Sequence, residues 1–155
     1  MTRPPPVSPD VPGDRDLVSW WGHVIEGFHH THALIAAPVE REFGLPAAPA
    51  EVILRLGRTP GHRLPMSRIA RETALTSGGF TKLADRLIGM GLVHRARDEN
   101  DRRVIHLELT AQGERVAVRV EALTAQALRA HLLAAVGVDR ARSLSDTMLA
   151  LRETT

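Results

Sequence analysis

At 155 residues the chain is long enough for one domain with a real core, and its 43% apolar composition fits that size. With three Phe, two Trp and no Tyr, the core has to be built from Leu, Val, Ile and Ala, which favours helices over a large antiparallel sheet. There is no Cys, which excludes disulfides, thiol catalysis and thiolate-bound zinc or iron–sulfur centres, and a formal net charge of only +2 leaves any role for charge to its distribution along the chain.

Residues 1–13 include Pro4, Pro5, Pro6, Pro9 and Pro12 and are expected as a disordered or extended arm. Asp14 is a candidate cap. After it Leu17, Trp21, Val24, Phe28, Ile35 and Val39 recur at three-, four- and seven-residue steps, one apolar stripe on a long helix to about Phe43. Pro38 should kink or break its last turns, and Gly44 and Pro46 should end it. A shorter helix fits Pro49 to Leu56, a loop fits residues 57–61, and Ser67 to Thr73 reads as a short helix. Thr76 is placed to cap the next helix, running to about Met90, with Gly91 as its terminating glycine. Leu92–Arg97 and Val104–Leu109 read as strands joined by the wholly polar turn Asp98–Arg103. Thr110 should cap a long helix to about Leu133, and Gly137 should break the chain before a last helix on Leu144, Met148 and Leu151. The expected fold is therefore mainly α with a small β hairpin. No stretch approaches a membrane span and no secretory apolar run opens the chain, so a cytoplasmic location is expected.

Two short helices followed by a two-stranded hairpin form a winged helix-turn-helix, whose second helix enters the major groove with one face anchored to the core. Phe80, Leu83 and Leu87 supply the anchor. The opposite face offers Ser77, Gly78, Thr81, Lys82, Asp85 and Arg86. Gly78 and Gly79 each cost about 1 kcal/mol relative to Ala inside a helix. They fit a backbone that must approach a phosphate or base edge, or else tight packing against a neighbouring helix. The hairpin adds Arg95, Arg97, Arg102 and Arg103, guanidinium groups suited to the narrow, negative minor groove. Asp98 and Asp101 would repel phosphate unless they hold those arginines through paired hydrogen bonds.

The stretches Ile69-Ala70, Leu75-Thr-Ser-Gly-Gly-Phe-Thr-Lys-Leu-Ala-Asp-Arg-Leu, Gly91-Leu-Val, Asp98-x-x-Asp-Arg-Arg and Leu109-Thr-x-x-Gly resemble, in order and spacing, the MarR family of bacterial transcription regulators. The runs Gly44-Leu-Pro and Glu51-Val-Ile-Leu-Arg-Leu are similar to its branch responding to urate and other small organic acids. The resemblance implies a helical dimerisation region over 14–46 and 111–155 and a winged helix-turn-helix DNA-binding domain over 47–110. It implies a homodimer on a pseudo-palindromic double-stranded operator, acting as a repressor released by a small phenolic or carboxylic acid, with no catalytic activity and no cofactor. By position Ser77, Thr81, Lys82 and Arg86 match the recognition helix, and Arg102 and Arg103 the wing tip with Asp101 as supporting acid. Two departures stand out: Arg68, where relatives often carry Glu, and Pro49-Ala50, where bulkier side chains are common.

An organic acid needs a cation or hydrogen-bond donors and a flat apolar wall, which Arg15, Trp20 and His23 on the first helix supply. Alternatively the tryptophans pack a dimer core and the histidines are solvated. The cluster His29-His30-x-His32 suggests a metal-responsive regulator, yet only His29 and His32 share helical ligand spacing, so no metal site is expected. An enzyme is disfavoured because no phosphate loop, serine elbow or paired metal motif is present. An interaction protein that no longer reads DNA is the remaining alternative.

Overall fold

The computed structural model describes residues 11–73, 77–98 and 100–153; the first ten residues of the expected arm and the expected cap Thr76 lie outside them. Helix α1 runs Asp14–Phe43, α2 Ala47–Gly57, α3 Met66–Glu72, α4 Ser77–Gly89, α5 Ala111–Leu128 and α6 Ala134–Glu153. Among the described residues no helix is long and apolar enough to cross a membrane.

The capping residue of α1 is Gly13, not Asp14, and no side chain caps the helix. Asp14 and Asp16 instead lie in the first turn, where their charge complements the helix dipole. Pro38 does not end the helix, which continues to Phe43. The chain turns at Gly44, left-handed at φ 64°, whose N–H bonds Glu40 O at 2.8 Å. Past that corner α2 starts at Ala47, two residues earlier than expected, after Pro46.

Sequence reasoning missed one strand. β1 (Arg63–Pro65) pairs antiparallel with β3 (Ile105–Leu109), which also pairs with β2 (Val93–Arg97), giving a three-stranded sheet in the order β1-β3-β2. Three residues ending in proline are too few to show alternation, and the strand exists because β3 offers it a free edge.

The core gathers Val39 from the end of α1, Val52, Ile53 and Leu56 from α2, Ile69 from α3, Leu87 from α4, Val93 and Leu107 from the sheet and Val120 from α5. A two-pronged Arg119–Glu42 pair, at 2.8 and 3.0 Å, also fastens α5 to α1. Rather than following one regular helix to Leu133, the chain leaves α5 at Leu128 and makes a wide π turn over Arg129–Leu133. Inside α6, Gly137 breaks the helical backbone at φ 78° and ψ 169°, as expected of it.

The motif Leu109-Thr-x-x-Gly113 joins the sheet to α5. Leu109 is buried; the Thr110 hydroxyl accepts from Gly113 N–H at 3.0 Å and donates to Gly91 O at 2.7 Å. A Cβ on Gly113 would lie 1.9 Å from Leu92 O, so only glycine lets the helix start so close to that backbone.

Candidate nucleic-acid interface

Helix α4 buries Phe80, Ala84 and Leu87 and half-buries Leu83, as its apolar spacing requires. Its opposite face exposes Gly78, Thr81, Lys82, Asp85 and Arg86, and Ser77 opens the helix. A Cβ on Gly78 would meet nothing within 4 Å, so close packing within the chain does not account for this glycine.

The other face of the site is the hairpin of β2 and β3. Val93 is buried at its base, and Arg95, Arg97, Arg102 and Arg103 are exposed along it. The six expected contact cations divide into two groups. Arg95 Nη2 donates to Asp85 Oδ1 at 2.7 Å, tying the wing to α4, and Arg86 Nη2 donates to Gly44 O at 2.8 Å, tying α4 to the corner after α1. Lys82, Arg97, Arg102 and Arg103 have no ion-pair partner among the described residues. Two of the predicted contacts are thus braces of the scaffold, and four cations project from it.

The two wing acids do not hold arginine side chains of the hairpin. Asp98 Oδ1 accepts the backbone N–H of Asn100 at 2.9 Å and of Asp101 at 3.0 Å, and Asp101 Oδ1 accepts the N–H of Arg103 at 3.0 Å. A short carboxylate reaches the amides two and three residues ahead more readily than a guanidinium that extends away from the turn. The acids therefore shape the backbone of the tip. Asp98 Oδ2 lies 3.4 Å from Arg63 and 3.8 Å from the buried His106. The Asn100 and Asp101 amides, aided by His106 and Arg63, hold the Asp98 carboxyl below its usual range. Sequence reasoning missed both partners. Arg63 belongs to the unanticipated β1, and His106 is buried in β3 while its apolar neighbour Ile105 is exposed.

Elsewhere Arg68 donates to Glu72 at 2.8 Å, Arg55 bonds Glu51 at 2.7 Å, and Arg55 also bonds Glu72, so the departure at Arg68 is part of an ion network joining α2 to α3. Hydrogen bonds from Arg68 and then Arg55 lower the Glu72 carboxyl pKa against the opposing effect of burial. The other departure, Pro49-Ala50, is buried at the start of α2. Arg15, Trp20 and His23 are exposed on α1, and two clefts among the described residues, one between α2 and α5 and one between α2 and α3, are lined by other residues. His29 and His32 lie against the Phe28 ring, at centroid distances of 5.8 and 5.1 Å.

Residues 43–104, from the end of α1 to the tip of the wing, match the MarR family. No curated protein matches the chain in sequence. Among solved structures it is similar to Sco3205, a MarR family transcriptional regulator from Streptomyces coelicolor in complex with DNA, at 22% identity and TM-score 0.77, covering 94% of this chain and 91% of that one. A mutant MarR from E. coli complexed with operator DNA aligns at 19% identity and TM-score 0.72, covering 90% and 99%. NadR in complex with 4-hydroxyphenylacetate aligns at 20% identity and TM-score 0.66, covering 97% and 99%. At these identities the structural likeness establishes the winged helix-turn-helix fold across nearly the whole chain. The winged segment, residues 43–104, is similar to the MarR family, and the chain shares the fold of these solved regulators.

Proposed function

We propose that the protein is a transcriptional repressor that binds a pseudo-palindromic operator as a homodimer in the cytoplasm and is released by a small aromatic or carboxylic acid. The observation that carries this reading is the exposed face of α4 and the wing, on which Lys82, Arg97, Arg102 and Arg103 stand without carboxylate partners among the described residues. Such cations gain by neutralising phosphates and releasing condensed counterions. Gly78 lets the helix backbone come close to the duplex, and the wing arginines suit the minor groove. The Streptomyces coelicolor and E. coli neighbours, both bound to DNA, support the same use of this fold.

In this reading residues 14–46 and 111–155 are the dimerisation region and 47–110 the DNA-binding domain. The exposed apolar side chains of α1 and α6 supply the surface for a second copy. Arg15, Trp20 and His23 bind the acid where α1 meets the assembled dimer, a role to which the NadR complex with a phenolic acid lends support. The acid acts by favouring one spacing of the two recognition helices, and it shifts the population only by its differential affinity for the two states.

Fluorescence anisotropy with the upstream intergenic DNA of the protein's own gene tests the reading. The expected result is preference for that fragment over random duplex. Arg103→Ala should weaken binding and reduce the slope of log affinity against log salt by about one. Equal affinity for native and random duplex would overturn the proposal. Arg15→Ala should leave DNA binding intact and blunt release by aromatic carboxylic acids.

A further inference from the structure

We propose that the cleft between α2, α3 and the end of α6 is a second binding site, one for a small molecule carrying phosphate groups. The cleft has a volume of about 850 Å³, and five arginines line it: Arg55, Arg58, Arg68, Arg71 and Arg152, with Glu72 as the one carboxylate in its wall. None of them belongs to the surface assigned to DNA.

The charge balance of the cleft is uneven. Glu72 bonds both Arg55 and Arg68, and Glu51 bonds Arg55 as well, so those two guanidiniums are neutralised within the network that joins α2 to α3. Arg58, Arg71 and Arg152 have no carboxylate partner among the described residues. The three come from separate elements: Arg58 directly follows α2, Arg71 is on α3 and Arg152 is on α6. Arg58 spends only its Nε, on Leu54 O at 3.3 Å, leaving both terminal nitrogens available.

Three unneutralised guanidiniums converging on one concavity focus a positive field into it, and planar guanidinium groups match phosphate oxygens two at a time. A lone carboxylate would neutralise one of the three, whereas a ligand with three or more phosphate charges answers all of them. The volume falls within the range of about 300–1,000 Å³ common for small-molecule sites. Because Arg152 belongs to the last helix and Arg58 and Arg71 to the winged domain, an occupant would tie these two parts of the chain together.

Calorimetric titration of the full chain with inorganic tripolyphosphate, at constant ionic strength, tests the site. The expected result is saturable binding of one tripolyphosphate per chain. The variant Arg58→Ala/Arg71→Ala should weaken it at least tenfold, while Arg102→Ala/Arg103→Ala on the wing leaves it unchanged. Both altered pairs are exposed and form no ion pair among the described residues, and circular dichroism checks that each variant is folded. Absence of saturable binding, or equal loss in the two variants, would overturn the proposal. So would a cleft variant that binds tripolyphosphate normally but loses affinity for an operator extended by flanking duplex, since the cleft would then seat the DNA backbone.

Discussion

Between Leu45 and Leu109 the chain hides its large apolar side chains within itself, with Ile105 alone exposed among the described residues, whereas α1 and α6 leave most of theirs in solvent. Trp20, Trp21 and Phe28 are all more than half exposed on α1, and Leu144, Met148 and Leu151 lie open on α6. Among the described residues of α1 only Val39 is fully buried, with Phe43 packed against the core at the helix end, and α6 buries no residue. Contiguous apolar patches of this kind are rare on monomers and mark interaction surfaces. The winged domain is thus complete within one chain, while the terminal helices carry a pattern that needs a second surface to satisfy it.

The largest expected effect attacks the incomplete half. Trp21→Glu combined with Phe28→Glu should dissociate the proposed dimer. Full burial of such side chains is worth about 1.5–3 kcal/mol each, so the pair should weaken association more than a hundredfold. Sedimentation velocity should show a monomer with unchanged helical content, because neither side chain reaches the core. An unchanged molar mass would erase the distinction between the two regions. The matching strike on the complete half is Gly113→Ala, which drives a methyl group into Leu92 O. Overpacking against backbone should cost about 1–3 kcal/mol, read as a lower urea midpoint. That loss should persist in the monomeric variant, since Gly113 acts within one chain.

The same division explains what could be read from the sequence. Helix spacing, the wing, the Thr110 cap and the break at Gly137 are local properties, and local chemistry specifies them. The apolar stripe of α1 identified a face without identifying what covers it, because periodicity carries no information about the partner surface. The bond from Arg86 to Gly44 O spans 42 residues, and β1 needs the edge of β3, so both are visible only after folding. Asp98 and Asp101 were legible as supports of the wing, but not in kind. Their proximity to arginines in sequence suggested charge pairs, whereas the nearest donors are the backbone amides of the turn itself. Of the site, the placement of Lys82, Arg97, Arg102 and Arg103 on an open surface followed from the pattern; the bracing roles of Arg86 and Arg95 did not.

A smaller effect separates stability from recognition inside the winged domain. Gly78 sits in the first turn of α4 with open space where a Cβ would go. Gly78→Ala should therefore raise the stability of the free protein, by less than about 1 kcal/mol. If the duplex approaches the backbone there, the same change should lower operator affinity. A gain in melting temperature together with a loss of affinity would fix Gly78 as a recognition feature. Undiminished affinity would return it to ordinary helix-start geometry.

The smallest effect is confined to the wing tip and follows from the charge on Asp98. Its carboxyl lies below the usual 3.8 because the amides of Asn100 and Asp101 bond the charged form, with weaker help from His106 and Arg63. A carboxyl depressed on folding contributes stability that is fully present above its unfolded value and is lost as pH falls through the folded one. The turn should therefore stay closed at neutral pH and loosen only in acid below 3.8. The amide NMR signals of Asn100 and Asp101 should report that step before the core of the domain unfolds. Asp98→Asn keeps an oxygen for both amides but removes the charge, so its tip should remain ordered and show no acid step. Asp98→Ala removes the acceptor and should leave the tip loosened at every pH. Wild-type amides that do not respond across the acid range would mean that the carboxylate does not hold the turn, and that the arginines at the tip owe their placement to the strands alone.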